Sequence, residues 1–287
     1  MQIGITIPNG IPGVDGRALV EWGRATEAFG FDIVAVISRI AYPSHEELIT
    51  LSAVAAATAC VRLMPSILIA PLRDPVLLAK QAATLDRISG GRLVLGLGVG
   101  MRPDDFIATG TNFGDRGKRF DAMLEKMHAL WRGEPPVEGA RAACPEPVNG
   151  KVPIYFGTLT NAPRVIRRIA RWGDGFIPVG SPRMAEPIVE ALHKAWTEQG
   201  REGKPRLVGA SYFTLGNDEE AERNIHDYYD DFFPALGDAA AKAMPRTQEA
   251  CRRVFEVYRD AGYDEFLFSA ASADVAQVER LAEAVAG

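Results

Sequence analysis

RLVLGLGVGMRPDD, residues Arg92–Asp105, is the stretch on which the fold turns. Leu93, Val94, Leu95, Leu97 and Val99 form an almost unbroken apolar run. That is the pattern of a parallel strand covered on both faces, not of a half-exposed one. Gly96, Gly98 and Gly100 remove side chains where the strand ends, so that backbone or a flat ligand can come close. Met101, Arg102, Asp104 and Asp105 then place charge in a loop at the strand's carboxyl end, where α/β folds bind ligands.

Working outward, Asp74-Pro75 opens the preceding helix with an N-cap and a proline at the first helical position. Leu78, Ala82 and Leu85 carry that helix to Gly90-Gly91. Before it, residues 62–70 read as a strand interrupted by Pro65. A central strand tolerates proline at a bulge, so Pro65-Ser66-Ile67 is expected to push backbone into the mouth of the fold. Earlier still, Ile3, Ile5 and Ile7 alternate as a first strand, and Ala18, Trp22, Ala25 and Phe29 recur at helical spacing. A second strand spans 32–37 and a second helix 46–57.

On the other side a helix is expected over 116–131, then a proline-rich excursion over 133–152. Strands follow at 153–156, 175–179, 206–215 and 265–269. Their helices begin near Asn161, at Ser181-Pro182, near 218–233 with 246–260, and after Asp274. Strand and helix thus alternate eight times in 287 residues without a break in composition. This predicts one α/β domain over 1–287, a single (β/α)8 TIM barrel with a long helical connection between its seventh and eighth strands.

The net charge of −5 and the absence of a basic cluster argue against a nucleic-acid partner. No apolar run is long enough to span a membrane, and the first residues lack a signal-peptide pattern. Cys60, Cys144 and Cys251 show no paired spacing, and the four histidines show none suited to a metal. A cytoplasmic, metal-free protein acting on a small molecule is the expectation.

In a barrel the reactive groups sit on the loops after the strands. Asn9 follows the first strand; Arg39, Tyr42 and His45 follow the second. Asn9 and Tyr42 are expected to meet a substrate, with His45, Arg39 and Arg102 beside the chemistry. Gly157-Thr158-Leu159-Thr160-Asn161 and Val179-Gly180-Ser181-Pro182 each lead into a helix N-terminus, where free amides and the helix dipole favour an anion or simply a capped helix. The glycines at 96, 98 and 100 do not complete a dinucleotide loop, because position 101 is Met. No acid–base pair or nucleophilic triad is legible, which points to a cofactor as the carrier of the reaction.

The block PSILIAPLRDPVLLAKQAATLDRISGGRLVLGLGVG, 65–100, resembles the core signature of the luciferase-like monooxygenase family. IGITIP, EAFGFD, RPDDF, RFD and WGDGFIPVG extend the likeness along most of the chain. The resemblance implies a TIM-barrel oxidoreductase using FMN or coenzyme F420, and often a homodimer. It implies a non-prolyl cis peptide at Ser66-Ile67 supporting the cofactor ring, with Gly98, Gly100 and Met101 bordering it. It also implies a phosphate held by Gly157 and Thr158 beside Val179, Gly180 and Ser181. Deazaflavin-dependent sugar-phosphate dehydrogenases of this kind often carry Asp-His after the second strand, where Ser38-Arg39 stands here, and an acid in place of Met101. A sugar phosphate is therefore not the expected substrate, and His45 or a water is left to handle protons. The same departures motivate a second reading, a barrel that binds a flavin or a partner without catalysing.

Overall fold

The computed structural model describes residues 1–285. In chain order its elements are β1 (Gln2–Thr6), α1 (Gly16–Ala28), β2 (Ile33–Val36), α2 (Glu47–Ala57), β3 (Arg62–Pro65), β4 (Leu68–Ile69) and α3 (Pro75–Ser89). There follow β5 (Leu95–Gly98), α4 (Pro103–Ala108), α5 (Arg116–Trp131), β6 (Ile154–Thr158), α6 (Pro163–Trp172), β7 (Gly175–Pro178) and α7 (Pro182–Glu198). The chain closes with β8 (Arg206–Phe213), α8 (Asp218–Tyr229), α9 (Pro234–Ala243), α10 (Gln248–Asp260), β9 (Glu265–Ala270) and α11 (Gln277–Val285).

All strand pairings are parallel, in the order β3-β2-β1-β9-β8-β7-β6-β5-β4. β3 and β4 are the two halves of one interrupted strand, and a bridge from Leu63 to Leu93 joins the ends of the sheet. The expected TIM barrel is therefore present, with nine strand segments in eight positions. The interruption falls at Ser66-Ile67, whose peptide bond is cis.

The two-residue period of β5 sorts its side chains. Leu93, Leu95 and Leu97 pack in the layer between strands and helices, with Trp131, Phe156 and Ile169 among their buried companions. Val94 faces the barrel interior with Ile33, Met64, Tyr155, Ile177, Val208 and Leu267. Gly96 and Gly98 share the inward face, and neighbouring backbone and side chain occupy the space they leave. A Cβ at Gly96 would stand 2.1 Å from the Pro65 carbonyl oxygen, and one at Gly98 would stand 2.2 Å from Ile67 Cδ1. Below this layer Glu265, fully buried, accepts from Arg62 at 3.0 Å, Arg206 at 2.7 Å and Tyr155 at 3.1 Å, closing the barrel floor.

Three local expectations change. The residues after β5 form the short helix α4, because Pro103 at its start and Asp104 and Asp105 in its first turn suit a helix N-terminus. The long connection holds three helices where the sequence pattern suggested two, as Pro234 starts α9 separately. The helix after β6 starts at Pro163, two residues later than the spacing implied.

His128 on α5 stacks on Trp172 with ring centroids 4.7 Å apart and has Trp131 at its edge. Burial pushes its imidazole down from 6.5 to about 4. Between those values the unfolded chain binds a proton that the native state refuses, so stability is full above 6.5 and falls as pH drops toward 4. His128→Phe keeps the stack and is expected to flatten that decline, read as urea midpoints near pH 7 and near pH 4.5.

Candidate active site

The mouth of the barrel has an open half and a closed half. The open half lies over β4 to β8. On β8, Val208 is buried in the barrel interior, whereas Ala210, one pleat further along the same face, is exposed. Ile67 lies across the strand ends from the other side: a Cβ at Gly157 would stand 2.7 Å from its Cδ1. Ile67 and Gly157, half-buried and adjacent, and the exposed Ala210 thus leave the strand ends of this half open to solvent as a well. Met101, Leu159 and Val179, each just beyond the end of β5, β6 or β7, are exposed apolar side chains around it.

Two helices begin at this well without a side-chain cap. α6 starts from Ala162-Pro163 and α7 from Ser181-Pro182, and neither N-cap side chain accepts a hydrogen bond. By contrast α2, α3, α8 and α10 are capped by Glu46, Asp74, Asn217 and Thr247. Pro163 and Pro182 have no N–H, and the Val165 and Met184 amides donate to the Ala162 and Ser181 carbonyls at 2.8 and 2.9 Å, so the Arg164 and Arg183 amides are the first-turn donors left for an anion. Thr158 Oγ1 accepts from the Thr160 amide at 3.2 Å, which folds the loop back toward α6. The Gly180 carbonyl accepts from the Tyr258 hydroxyl at 3.0 Å, and its φ of +91° suits glycine. β6 and β7 pair with Thr158 opposite Pro178, so Gly157 and Thr158 end beside the turn of Val179, Gly180 and Ser181.

Gly98 and Gly100 act differently from the sequence reading. The close approach they permit is between parts of the chain, Ile67 over Gly98 and Ile69 with Phe106 against Gly100, so any ligand meets Ile67 before it meets Gly98.

The closed half lies over β1, β2 and β9, under α8. Arg39 and Arg102 do not stand free there. The Arg39 side chain, 1% exposed, pairs with Asp104 at 2.7 Å. Arg102 is buried and donates to the Tyr228 carbonyl at 2.9 Å, with Tyr228, Tyr229 and Phe233 around its guanidinium. Tyr42 donates to Asp227 at 2.5 Å, and burial together with that carboxylate drives its phenol upward. Between α8 and the strand ends only about 30 Å³ remains, lined by Thr6, Ile37, Tyr212, Tyr228 and Ser269.

Asn9 is a correction. It is 0% exposed, donates to the carbonyls of Ile37 (2.8 Å) and His45 (3.1 Å), and accepts from the Ile37 amide at 2.9 Å. An amide so engaged joins two loops and has nothing left for a substrate. His45 is held likewise: its Nε2 meets the Val14 carbonyl at 2.7 Å, a contact that needs the proton on that nitrogen. Ser38 donates to Glu47 at 2.8 Å, and Arg73 donates to the same carboxylate at 2.6 Å. Burial raises the Glu47 carboxyl, against the pull of Arg73.

The sequence reading missed Ala210, Asp227 and Tyr228. The signal for the last two was the aromatic and acidic run His226–Phe233 in the long connection, unusual for a solvated link. No three His, Cys, Asp or Glu side chains are grouped to hold a metal, and no helix is long and apolar enough to cross a membrane, among the described residues.

A family model described as luciferase-like monooxygenase matches residues 1–287. An uncharacterized protein of Mycobacterium tuberculosis is 32% identical over 167 residues, a match that takes in 56% of this chain and 59% of that protein. An F420-dependent glucose-6-phosphate dehydrogenase of Nocardia farcinica is 27% identical, over 90% of this chain and 89% of its own length. Among solved structures, an F420-dependent secondary alcohol dehydrogenase in complex with an F420–acetone adduct superposes with a TM-score of 0.81 at 19% identity, covering 99% of this chain and 98% of its own. The FMN complex of the oxygenating constituent of 3,6-diketocamphane monooxygenase from Pseudomonas putida gives 0.72 at 18% identity, covering 98% and 96%. At these identities the two structures establish the shared fold alone.

Proposed function

The chain belongs to the luciferase-like monooxygenase family, and on that premise we propose that it is an oxidoreductase holding F420 or FMN in the open half of its barrel mouth. The observation that carries this reading is the well itself: an apolar base with two uncapped helix N-termini at one edge. A flat ring and a phosphate have these two requirements, and the residues present fit them.

Ile67, resting over Gly98 and Gly157, would support the ring from beneath, flanked by Met101 and Val179. First-turn amides of α6 and α7, with the hydroxyls of Thr158 and Ser181, would hold the phosphate. When bound, such a ring supplies hydride transfer or, as reduced FMN, oxygen activation. The tyrosines of β8 and α8 would keep bulk water from the far side of the ring, and Arg102 holds α8 in place through the Tyr228 carbonyl. With Ser38 bonded to Glu47 and Arg39 to Asp104, the loop after β2 has no free cation for a sugar phosphate. A small organic molecule suits the site better. A cytoplasmic homodimer belongs to the same proposal, its compartment suggested by three free cysteines.

Equilibrium titration of the apo protein with F420 and with FMN, followed by cofactor fluorescence, tests this. Binding of either should also raise stability, by about 2.7 kcal/mol at a hundredfold excess over Kd. If neither binds more tightly than about 100 μM, near −5.5 kcal/mol, the oxidoreductase reading fails and a partner-binding barrel takes its place.

A further inference from the structure

Three hydroxyls stand side by side in the top layer of the barrel interior. Parallel pairing sets Tyr212 on β8 opposite Ser269 on β9, and Ser269 opposite Thr6 on β1. Val208 on β8, Leu267 on β9 and Ala35, the β2 partner of Thr6, all lie in the barrel interior. Side chains two residues apart on a strand share a face, so Tyr212, Ser269 and Thr6 turn inward at the carboxyl ends of three neighbouring strands.

All three line the cavity under α8. No hydrogen bond engages the Thr6 or Ser269 hydroxyl among the described residues, and neither oxygen is sealed from solvent. The Tyr212 hydroxyl has one contact, the Tyr229 hydroxyl at 3.5 Å, at the outer limit of a hydrogen bond. Burial, with Tyr229 beside it, pushes the Tyr212 phenol well above its ordinary value of 10, so it stays a donor. Ile7, Ile37 and Ile225 make the rest of the lining largely apolar. The two guanidiniums packed on Tyr228 are already engaged, Arg39 with Asp104 and Arg102 with the Tyr228 carbonyl.

A hydroxyl both donates and accepts, so such a row meets a carbonyl or an alcohol oxygen equally well. A carboxylate or phosphate would enter this apolar corner without a free cation to pair it. We propose that Thr6, Ser269 and Tyr212 form the seat for the substrate's reacting oxygen, that of an uncharged ketone, aldehyde or alcohol. The cavity of about 30 Å³ admits an oxygen-sized group. Tyr212 stands one pleat beyond the exposed Ala210, so the carbon skeleton lies toward the well. The inference rests on the cofactor-binding reading above and adds to it the substrate class and the residues that select it.

The test uses the full chain saturated with whichever cofactor binds, and follows cyclohexanone, cyclohexanol and cyclohexanecarboxylate by ligand-observed NMR. Ketone and alcohol should each bind about tenfold more tightly than the carboxylate. Thr6→Val, Ser269→Ala and Tyr212→Phe should each weaken ketone binding about fivefold, the worth of one hydrogen bond. Because the Thr6 and Ser269 hydroxyls have no partner in the fold, those two variants should keep the wild-type melting temperature and cofactor affinity. Hydroxyls that served the fold alone would lower the melting temperature and leave ketone binding as it was. Carboxylate binding as tight as ketone binding, no ketone binding with the cofactor in place, or unchanged affinity in the variants overturns the seat while cofactor binding stands. If neither cofactor binds, the reading on which the seat rests falls, and the seat with it.

Discussion

Gly96→Ala is expected to lower the unfolding free energy by about 3 kcal/mol and to abolish tight cofactor binding. The added Cβ would stand 2.1 Å from the Pro65 carbonyl oxygen and 3.2 Å from Ile177 Cδ1. The nearest atom is backbone, so no side-chain rotation relieves the contact; β3 and β5 must move apart. That movement displaces Ser66 and Ile67, the base of the well. Gly16→Ala is the control, since its Cβ would meet nothing closer than 3.7 Å. Urea unfolding of both variants decides the matter, with cofactor fluorescence as the second readout. A Gly96→Ala protein with wild-type midpoint and affinity would show that the strands are not in contact there.

Asn9→Ala should cost a similar amount, about 3 kcal/mol, by leaving two carbonyls and an amide without partners in a buried place. The competing view, Asn9 as a substrate ligand, predicts the reverse pattern: unchanged stability and a raised KM. Unfolding midpoints separate the two before any substrate is known. Cofactor affinity of the folded fraction should stay unchanged, because Asn9 lies in the closed half of the mouth.

The two halves of the mouth differed in how far they could be read beforehand. The open half is local in sequence: Ser66-Ile67, Gly157-Thr158 and Val179–Ser181 each lie at the end of a strand that periodicity locates. A strand followed by glycine or a small hydroxyl and then Pro at a helix start has few other readings. The closed half is built by α8 and α9, which reach back across the barrel. Arg39 stands after β2 and looks free in sequence, yet it meets Tyr228, 189 residues away, and Asp104, 65 residues away. Nothing in the local pattern announces those partners. Asn9 was misread for the same reason: a polar residue after a strand can face a ligand or bind a neighbouring loop, and loop packing decides which.

The amino-acid sequence by itself determined the eight-fold alternation, the barrel, the bulge at Pro65–Ile67 and the proline-led starts of α6 and α7. Each of these follows from side-chain period, proline and glycine chemistry or helix capping, all of which act over a few residues. Only the tertiary structure decided that Gly96 and Gly98 make room for Pro65 and Ile67. The same is true of the burial of Arg39 and Arg102 as ties to α8, and of the exposed Ala210 in the well. Those outcomes depend on which segments meet when the barrel closes, and contacts between distant segments are selected by packing across the whole molecule rather than by local propensity.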